Sequence, residues 1–157
     1  MNAATRMRAP SLLIPSRRVT TSDLDAHLGT WRGVYRCYDA AGVLRDEHGS
    51  ELVLCRAGNL WWQTNTYRWA NGVEVVHAFD GWITAAGELV LDTPRLQGVA
   101  WGTRGEVLLT WRYKDDPESM HHELISLVTP NLRQRSWHLT SGDQVNGFVH
   151  IVEVRVA

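Results

Sequence analysis

The feature that most constrains this chain is an alternation of side-chain character with a period of two, which begins at Thr30 and continues almost to the C-terminus. Successive side chains of a β-strand point to opposite faces, so this period is typical of strands. Turn sequences such as Asn71-Gly72 and Pro130-Asn131 separate the alternating segments. The pattern predicts strands near 30–38, 50–56, 59–69, 73–79, 81–84, 88–93, 96–101, 105–114, 121–129, 132–140 and 145–156.

Short strands joined by tight turns form an antiparallel meander, which either closes into a barrel or folds into a sandwich. The last strand is long, and an unpaired edge of that length would attract other strands. Pairing with the first strand removes this edge, which favours the barrel. We therefore expect an all-β fold, an antiparallel up-and-down β-barrel of about 8–10 strands.

The N-terminal segment differs from the rest of the chain. Residues 1–20 contain four arginines and two prolines and show no sustained period, which predicts a flexible arm or lid. Thr21-Ser22-Asp23 then offers an N-cap for a short helix that continues to about His27. Residues 21–157 are expected to form one barrel domain.

Charge and composition restrict the partners and the location. A net charge of −1 gives no electrostatic basis for binding nucleic acid or an anionic membrane. No apolar run approaches the roughly 20 residues of a membrane span, and Pro15 interrupts the N-terminal apolar stretch, so we predict a cytoplasmic protein.

The chain has two cysteines, Cys37 and Cys55, which fall on strands that could be neighbours. We expect two buried free thiols rather than a disulfide. The sequence leaves open both a monomer and a homodimer.

Eight tryptophans are many for 157 residues. Each buries about 150–250 Å², which contributes roughly 4–6 kcal/mol at about 25 cal/mol per Å². We expect some of them to fill the core and others to line a cavity.

The strand near 59–69 carries the most informative face. Aromatic rings alternate there with amides, and we predict that this face points into the barrel: Trp61, Gln63, Asn65, Tyr67 and Trp69. A buried amide without a hydrogen-bond partner costs about 1–3 kcal/mol, so a ligand or a trapped water is a natural partner. The alternative is that these side chains face solvent at the rim or bond to their neighbours.

Two later strands repeat this theme. Trp111 and Tyr113 share one face of the strand near 105–114. If Gln134 and His138 point inward from the strand near 132–140, the cavity gains an imidazole with an ordinary pKa of about 6.5, suited to acid–base chemistry. The alternative for His138 is a structural role. The candidate catalytic residues are thus Gln63, Asn65, Tyr67 and His138, and the candidate ligand-binding residues are Trp61, Trp69, His77, Trp111, Tyr113 and Gln134.

His121-His122 followed by Glu123 invites a metal hypothesis. Adjacent residues of a strand point to opposite faces, so only His121 and Glu123 share one. Two ligands do not make a zinc site. We therefore expect no metal. The sequence also shows no phosphate-binding loop and no dinucleotide fingerprint, so we expect no cofactor.

Gly29-Thr30-Trp31 stands at the start of the first strand, and Arg155 lies near the end of the last strand. A Gly-x-Trp followed by a basic residue in the last strand resembles the mark of lipocalins and the wider calycin barrels. With the segments 62–69 and 109–114, these residues resemble a bacterial lipocalin-like family of uncharacterised domains over roughly residues 24–157. The resemblance implies that Arg155 lies across the Trp31 indole and closes the bottom of the barrel. It also implies a small-molecule ligand, and it supplies no catalytic residues.

Three functions fit such a barrel. The first is a cofactor-independent enzyme of natural-product biosynthesis that folds a flexible, mostly apolar intermediate and promotes its cyclisation or isomerisation, as in similar allene oxide cyclase-like and spirotetronate cyclase barrels. Confinement alone can supply roughly 7–11 kcal/mol of such a barrier. The second is a non-catalytic carrier of a hydrophobic small molecule, which needs only one or two polar groups. The third is a barrel filled by its own tryptophans. The density of inward polar side chains favours the enzyme.

Overall fold

The computed structural model describes residues 21–156, and the arm predicted for residues 1–20 lies outside them. A five-residue helix, α1 (Thr21–Asp25), precedes ten strands. Each strand pairs antiparallel with its neighbours, and the first pairs with the last, so the predicted closed barrel is confirmed. The strands are β1 (Gly29–Asp39), β2 (Leu44–Ala57), β3 (Leu60–Arg68), β4 (Glu74–Ile83), β5 (Leu89–Asp92), β6 (Leu96–Thr103), β7 (Glu106–Tyr113), β8 (Ser119–Thr129), β9 (Leu132–Ser141) and β10 (Gln144–Val156).

Two strand predictions need correction. The segments near 73–79 and 81–84 form the single strand β4, because Asp80 points outward and does not interrupt the pairing with β3. The second strand begins at Leu44 rather than near residue 50, because its charged N-terminal half continues the pairing with β1.

The two cysteines are both free, and they differ in their surroundings. Cys37 is partly buried, whereas Cys55 is exposed, which corrects the expectation that both thiols are buried.

None of the helices among the described residues has the length and apolarity to cross a membrane.

One end of the barrel is closed by Trp31, which is completely buried. The Arg155 guanidinium carbon lies 4.3 Å from the centroid of the indole ring, as the resemblance implied. Arg133 lies 4.4 Å from the same centroid, so the indole contacts two cations. The indole nitrogen donates to the carbonyl of His27 at 2.9 Å. These contacts fix the chain segment between α1 and β1 to the bottom of the barrel.

Two glycines permit this closure. Gly29 has a φ of +114°, and a Cβ there would lie 2.9 Å from Nη1 of Arg155, which explains the glycine of the Gly-x-Trp sequence. A Cβ on Gly102 would lie 2.3 Å from the Cβ of Asp23, so α1 packs directly on β6. Leu24, 1% exposed, completes the core at this end. The other half of the barrel is left for a cavity.

Candidate functional site

A cavity of about 330 Å³, partly open to solvent, occupies the half of the barrel away from α1. Its volume is at the lower end of the range for small-molecule sites, about 300–1,000 Å³. Aromatic rings form most of its wall, and a small number of polar and charged groups interrupt them. The lining residues are Tyr35, Cys37, His48, Gln63, Asn65, Tyr67, Trp69, Val75, His77, Phe79, Leu91, Leu96, Leu109, Trp111, Tyr113, His121, Glu123, Arg135 and Trp137.

The inward face of β3 carries a row of polar side chains that bond to one another. The amide nitrogen of Gln63 donates to Oδ1 of Asn65 at 2.9 Å. The amide nitrogen of Asn65 donates in turn to the hydroxyl oxygen of Tyr67 at 2.9 Å. Asn65 is 4% exposed, and its neighbours satisfy both ends of its amide. Neighbouring side chains, rather than a ligand, therefore provide the partners of Asn65.

A buried network of charges forms the floor of the cavity. Nε of Arg135 donates to Glu123 at 2.6 Å, and its Nη1 donates to Glu153 at 3.1 Å. Glu153 also accepts from Arg133. Two arginines and two glutamates balance in charge, which is what permits burial of all four side chains. Burial lowers the pKa of Arg135, but Glu123, Tyr35 and Glu153 outweigh this and keep it well above its usual range.

The charge network and the polar row of β3 each end in a phenol. Nη1 of Arg135 donates to the hydroxyl oxygen of Tyr35 at 3.0 Å, and Asn65 donates to that of Tyr67. The two rings contact edge to face, with centroids 5.2 Å apart. Burial raises the pKa of both phenols, so both keep their protons at neutral pH. Each phenol oxygen therefore accepts a hydrogen bond, from Arg135 at Tyr35 and from Asn65 at Tyr67. If one hydroxyl donates to the other, the second hydroxyl still has a proton to donate to an acceptor atom in the cavity.

The opposite wall contains a stack of aromatic rings. The His121 imidazole lies parallel to the Trp111 indole, with 3.6 Å between centroids and 6° between planes. Trp137 contacts His121 at 5.1 Å. Burial lowers the pKa of His121 to about 4, so the ring is neutral at physiological pH. This wall offers flat, uncharged surfaces suited to a planar ligand.

The structure places seven of the ten predicted site residues on the cavity: Gln63, Asn65, Tyr67, Trp69, His77, Trp111 and Tyr113. Trp61 also points inward, but it is 3% exposed and belongs to the apolar core. Gln134 and His138 face outward and are exposed, which corrects the expectation that they point into the barrel. β9 instead directs Arg133, Arg135 and Trp137 inward, because Glu123 and Glu153 pair with the two arginines.

Several cavity residues were absent from the sequence-based site: Tyr35, Cys37, His48, His121, Glu123, Arg135 and Trp137. Alternate arginines on a strand usually indicate a face exposed to solvent, and for this reason the sequence pattern did not predict that Arg133 and Arg135 point inward. A signal was nevertheless present, since Trp137 shares the face of Arg135, and a tryptophan favours burial.

Three potential metal ligands lie together at the cavity mouth. The ligand atoms of Cys37, Asp46 and His48 all lie within 4.8 Å of one another. Cys37 faces Asp46 across the β1–β2 pair, and His48 follows two residues later on the same side of β2. Burial, and secondarily the charge of Asp46, raise the pKa of the Cys37 thiol to about 11, so without a cation it remains a thiol.

Neither a protein-family model nor a curated protein sequence matches the chain. Solved structures do. The S-type phycobiliprotein lyase CPES from Guillardia theta superposes with a TM-score of 0.71 at 15% identity, over 89% of this chain and 94% of the lyase. Rv2717c from M. tuberculosis gives 0.64 at 16% identity, over 87% of this chain and 96% of that chain.

A third solved structure is a protein of unknown function from the DUF3598 family of Nostoc punctiforme. It superposes with a TM-score of 0.68 at 18% identity, over 89% of this chain and 51% of that longer chain. Together with the ten-strand closure and the pairing of Trp31 with Arg155, these likenesses show that the chain has the lipocalin-like fold of the calycin barrels.

Proposed function

We propose that this protein binds a compact, largely planar small molecule in the open half of its barrel, with a carbonyl or anionic oxygen of that molecule directed at Tyr35 and Tyr67. One observation carries the proposal: a cavity with aromatic walls whose internal hydrogen-bond network ends in phenolic donors. An apolar ligand would gain free energy by leaving water, and the donors would fix its orientation.

Specificity follows from the floor of the cavity. Arg135 and Glu123 are already paired, so a fully charged ligand head group would compete with a bond of 2.6 Å. A ligand with a single acceptor oxygen can take one hydrogen bond from a phenol and leave the bond between Arg135 and Glu123 in place. The site therefore favours a neutral carbonyl or a delocalised oxyanion over a compact, doubly charged group.

Binding can be tested with anilinonaphthalene sulfonate, a small aromatic probe whose fluorescence rises in apolar surroundings. Trp111→Leu removes a ring from the cavity wall, whereas Trp62→Leu removes one that is 42% exposed on the outer face. Loss of a central aromatic anchor costs about 2 kcal/mol or more, and we expect Trp111→Leu to weaken binding roughly 30-fold. Trp62→Leu should bind like the natural chain. Equal affinities for all three proteins would contradict the proposal.

A second candidate function is the cyclisation or isomerisation of such a ligand. The observation in its favour is that Arg135 polarises the Tyr35 hydroxyl, which suits it to stabilise an oxyanion that develops during reaction. The fold is compatible with catalysis, since one solved barrel of this shape is a lyase. His121 is not suited to be the base, because its pKa is far below neutral.

This oxyanion chemistry can be tested before a substrate is known. The absorbance of para-nitrophenol reports its ionisation, and binding against Tyr35 should lower its pKa. A hydrogen bond to a charged group contributes about 1.5–3 kcal/mol, so Tyr35→Phe should weaken phenolate binding more than about tenfold. Tyr113→Phe, which removes a hydroxyl elsewhere on the cavity wall, is the matched control. The same loss in both variants would reject a special role for Tyr35.

A further inference from the structure

The residues Cys37, Asp46 and His48 form, among residues 21–156, the one group of three side chains with metal-ligand atoms this close together. Thiolate sulfur, imidazole nitrogen and carboxylate oxygen are the ligands that Zn²⁺ takes in proteins. Tetrahedral bonds of about 2.0–2.3 Å to one ion place the ligand atoms roughly 3.3–3.6 Å apart. The ligand atoms of the three side chains lie within 4.8 Å of one another, so their separations would have to close by at most about 1.5 Å to reach that spacing.

We propose that Cys37, Asp46 and His48 bind Zn²⁺ at the mouth of the cavity and leave its fourth coordination position open. Cys37 and His48 both line the cavity, so this position faces inward. Three protein ligands with one open position distinguish zinc sites that act on a bound molecule from closed structural ones.

The surrounding rings hold these ligands in place. The His48 imidazole stacks on Tyr35, with 5.1 Å between centroids, and lies 4.4 Å from Trp69. The Trp69 indole nitrogen donates to the two carboxylate oxygens of Asp46 at 2.9 and 3.2 Å. Nδ1 of His48 and an oxygen of Asp46 share a hydrogen bond of 2.7 Å, and a cation bound between them would take the place of its proton. A donor behind a carboxylate ligand is the usual outer support of a metal site.

The charge balance also fits a divalent cation. The Arg135 and Arg133 network below the site is neutral by itself, so no buried excess of positive charge opposes an ion at the mouth. The Asp46 carboxylate and a Cys37 thiolate would together supply two negative charges, which matches the charge of the ion. This proposal needs no organic ligand and stands or falls separately from the proposed binding function.

The experiment uses the full chain, stripped with a chelator and titrated first with Co²⁺ and then with Zn²⁺. Cobalt bound to a thiolate shows a sulfur-to-metal charge-transfer band in the near ultraviolet. We expect this band to saturate at one cobalt per chain and to disappear when Zn²⁺ displaces the cobalt. A chain that takes up no metal, or takes up cobalt without the band, would overturn the proposal whatever the variants show.

Matched variants then locate the site. Cys37→Ser should abolish the band, whereas Cys55→Ser, which changes the exposed cysteine, should preserve it. His48→Ala should lose more than about 100-fold in Zn²⁺ affinity, because loss of an outer support alone costs about 10–100-fold. His150→Ala, on the outer side of β10, should lose none. Trp69→Phe should weaken Zn²⁺ about 10–100-fold and leave the band in place. A band that survives Cys37→Ser in the folded chain would overturn the assignment.

Discussion

Replacement of Glu153 by glutamine is expected to lower the free energy of unfolding by about 3–5 kcal/mol, because it removes one member of a buried charge network. Glu153 is fully buried and accepts from both Arg133 and Arg135. Glutamine has nearly the same shape but no charge, so Arg135 would keep the carboxylate of Glu123 while Arg133 would lose the carboxylate that it pairs with. Urea unfolding of the purified chain measures the effect.

The control for this variant is Glu51→Gln. Glu51 pairs with Arg32 on the outer face, where the arginine side chain is 62% exposed. Exposed pairs of this kind contribute at most about 1 kcal/mol. If the two glutamine variants unfold at the same urea concentration, the buried network does not stabilise the barrel as described.

The same residue gives the barrel a pH dependence of known sign. Burial would raise the pKa of Glu153, but Arg135 and Arg133 outweigh it and hold the pKa below its usual range. The unfolded chain therefore binds this proton more readily than the folded one. The stabilisation is complete above the unfolded pKa of about 4.3 and is lost as the pH falls through the folded value. Glu153→Gln should show a shallower loss of stability on acidification.

Trp31→Ala is expected to cost a similar amount, about 3–5 kcal/mol. The indole is 0% exposed, lies between Arg133 and Arg155, and donates to His27. Alanine would leave a cavity at the closed end and remove both cation–π contacts, each of which is worth about 0.5–2 kcal/mol. Thermal unfolding followed by circular dichroism measures the loss.

Trp82→Ala serves as the comparison, because this indole is 41% exposed on the outer face of β4. It should change stability by less than about 1 kcal/mol. Arg155→Ala should fall between the two, since Trp31 would retain Arg133. A melting temperature that Trp31→Ala leaves unchanged would contradict the closure of the barrel by this residue.

The barrel itself could be predicted from the sequence because its main determinant is local. A period of two fixes which side chains share a face, and a long last strand has to pair on both sides. The inward face of β3 followed from the same reasoning, since every second residue from Trp61 to Trp69 is either aromatic or an amide. Closure at Trp31 was expected from the resemblance alone, which implied that Arg155 lies across its indole.

The floor of the cavity could not be predicted in this way. Arg135 is inward because it meets Glu123 on β8 and Glu153 on β10, and these contacts depend on two registers that the sequence does not state. Both registers shift at irregularities, at Val145/Gly147 and at Leu127/Thr129, and one such shift exchanges the inner and outer faces. Desolvation of an unpaired arginine is costly, so without knowledge of the two glutamate partners the face of β9 that carries Arg133 and Arg135 is expected to point to solvent.

The group of Cys37, Asp46 and His48 could not be predicted from the sequence for a different reason. Asp46 and His48 lie in the charged first half of β2, which the alternation did not assign to a strand. Their distance from Cys37 follows from the pairing of β1 with β2 across the turn.

The central claim is that a small molecule enters the barrel, and the indole N–H groups report this most directly. We would record proton–nitrogen correlation spectra of the eight tryptophans during addition of anilinonaphthalene sulfonate. We predict shifts for the three cavity indoles, Trp69, Trp111 and Trp137, and none for the outer-face indoles Trp62 and Trp82. Shifts confined to Trp62 and Trp82 would place the probe on the outer surface and contradict the account.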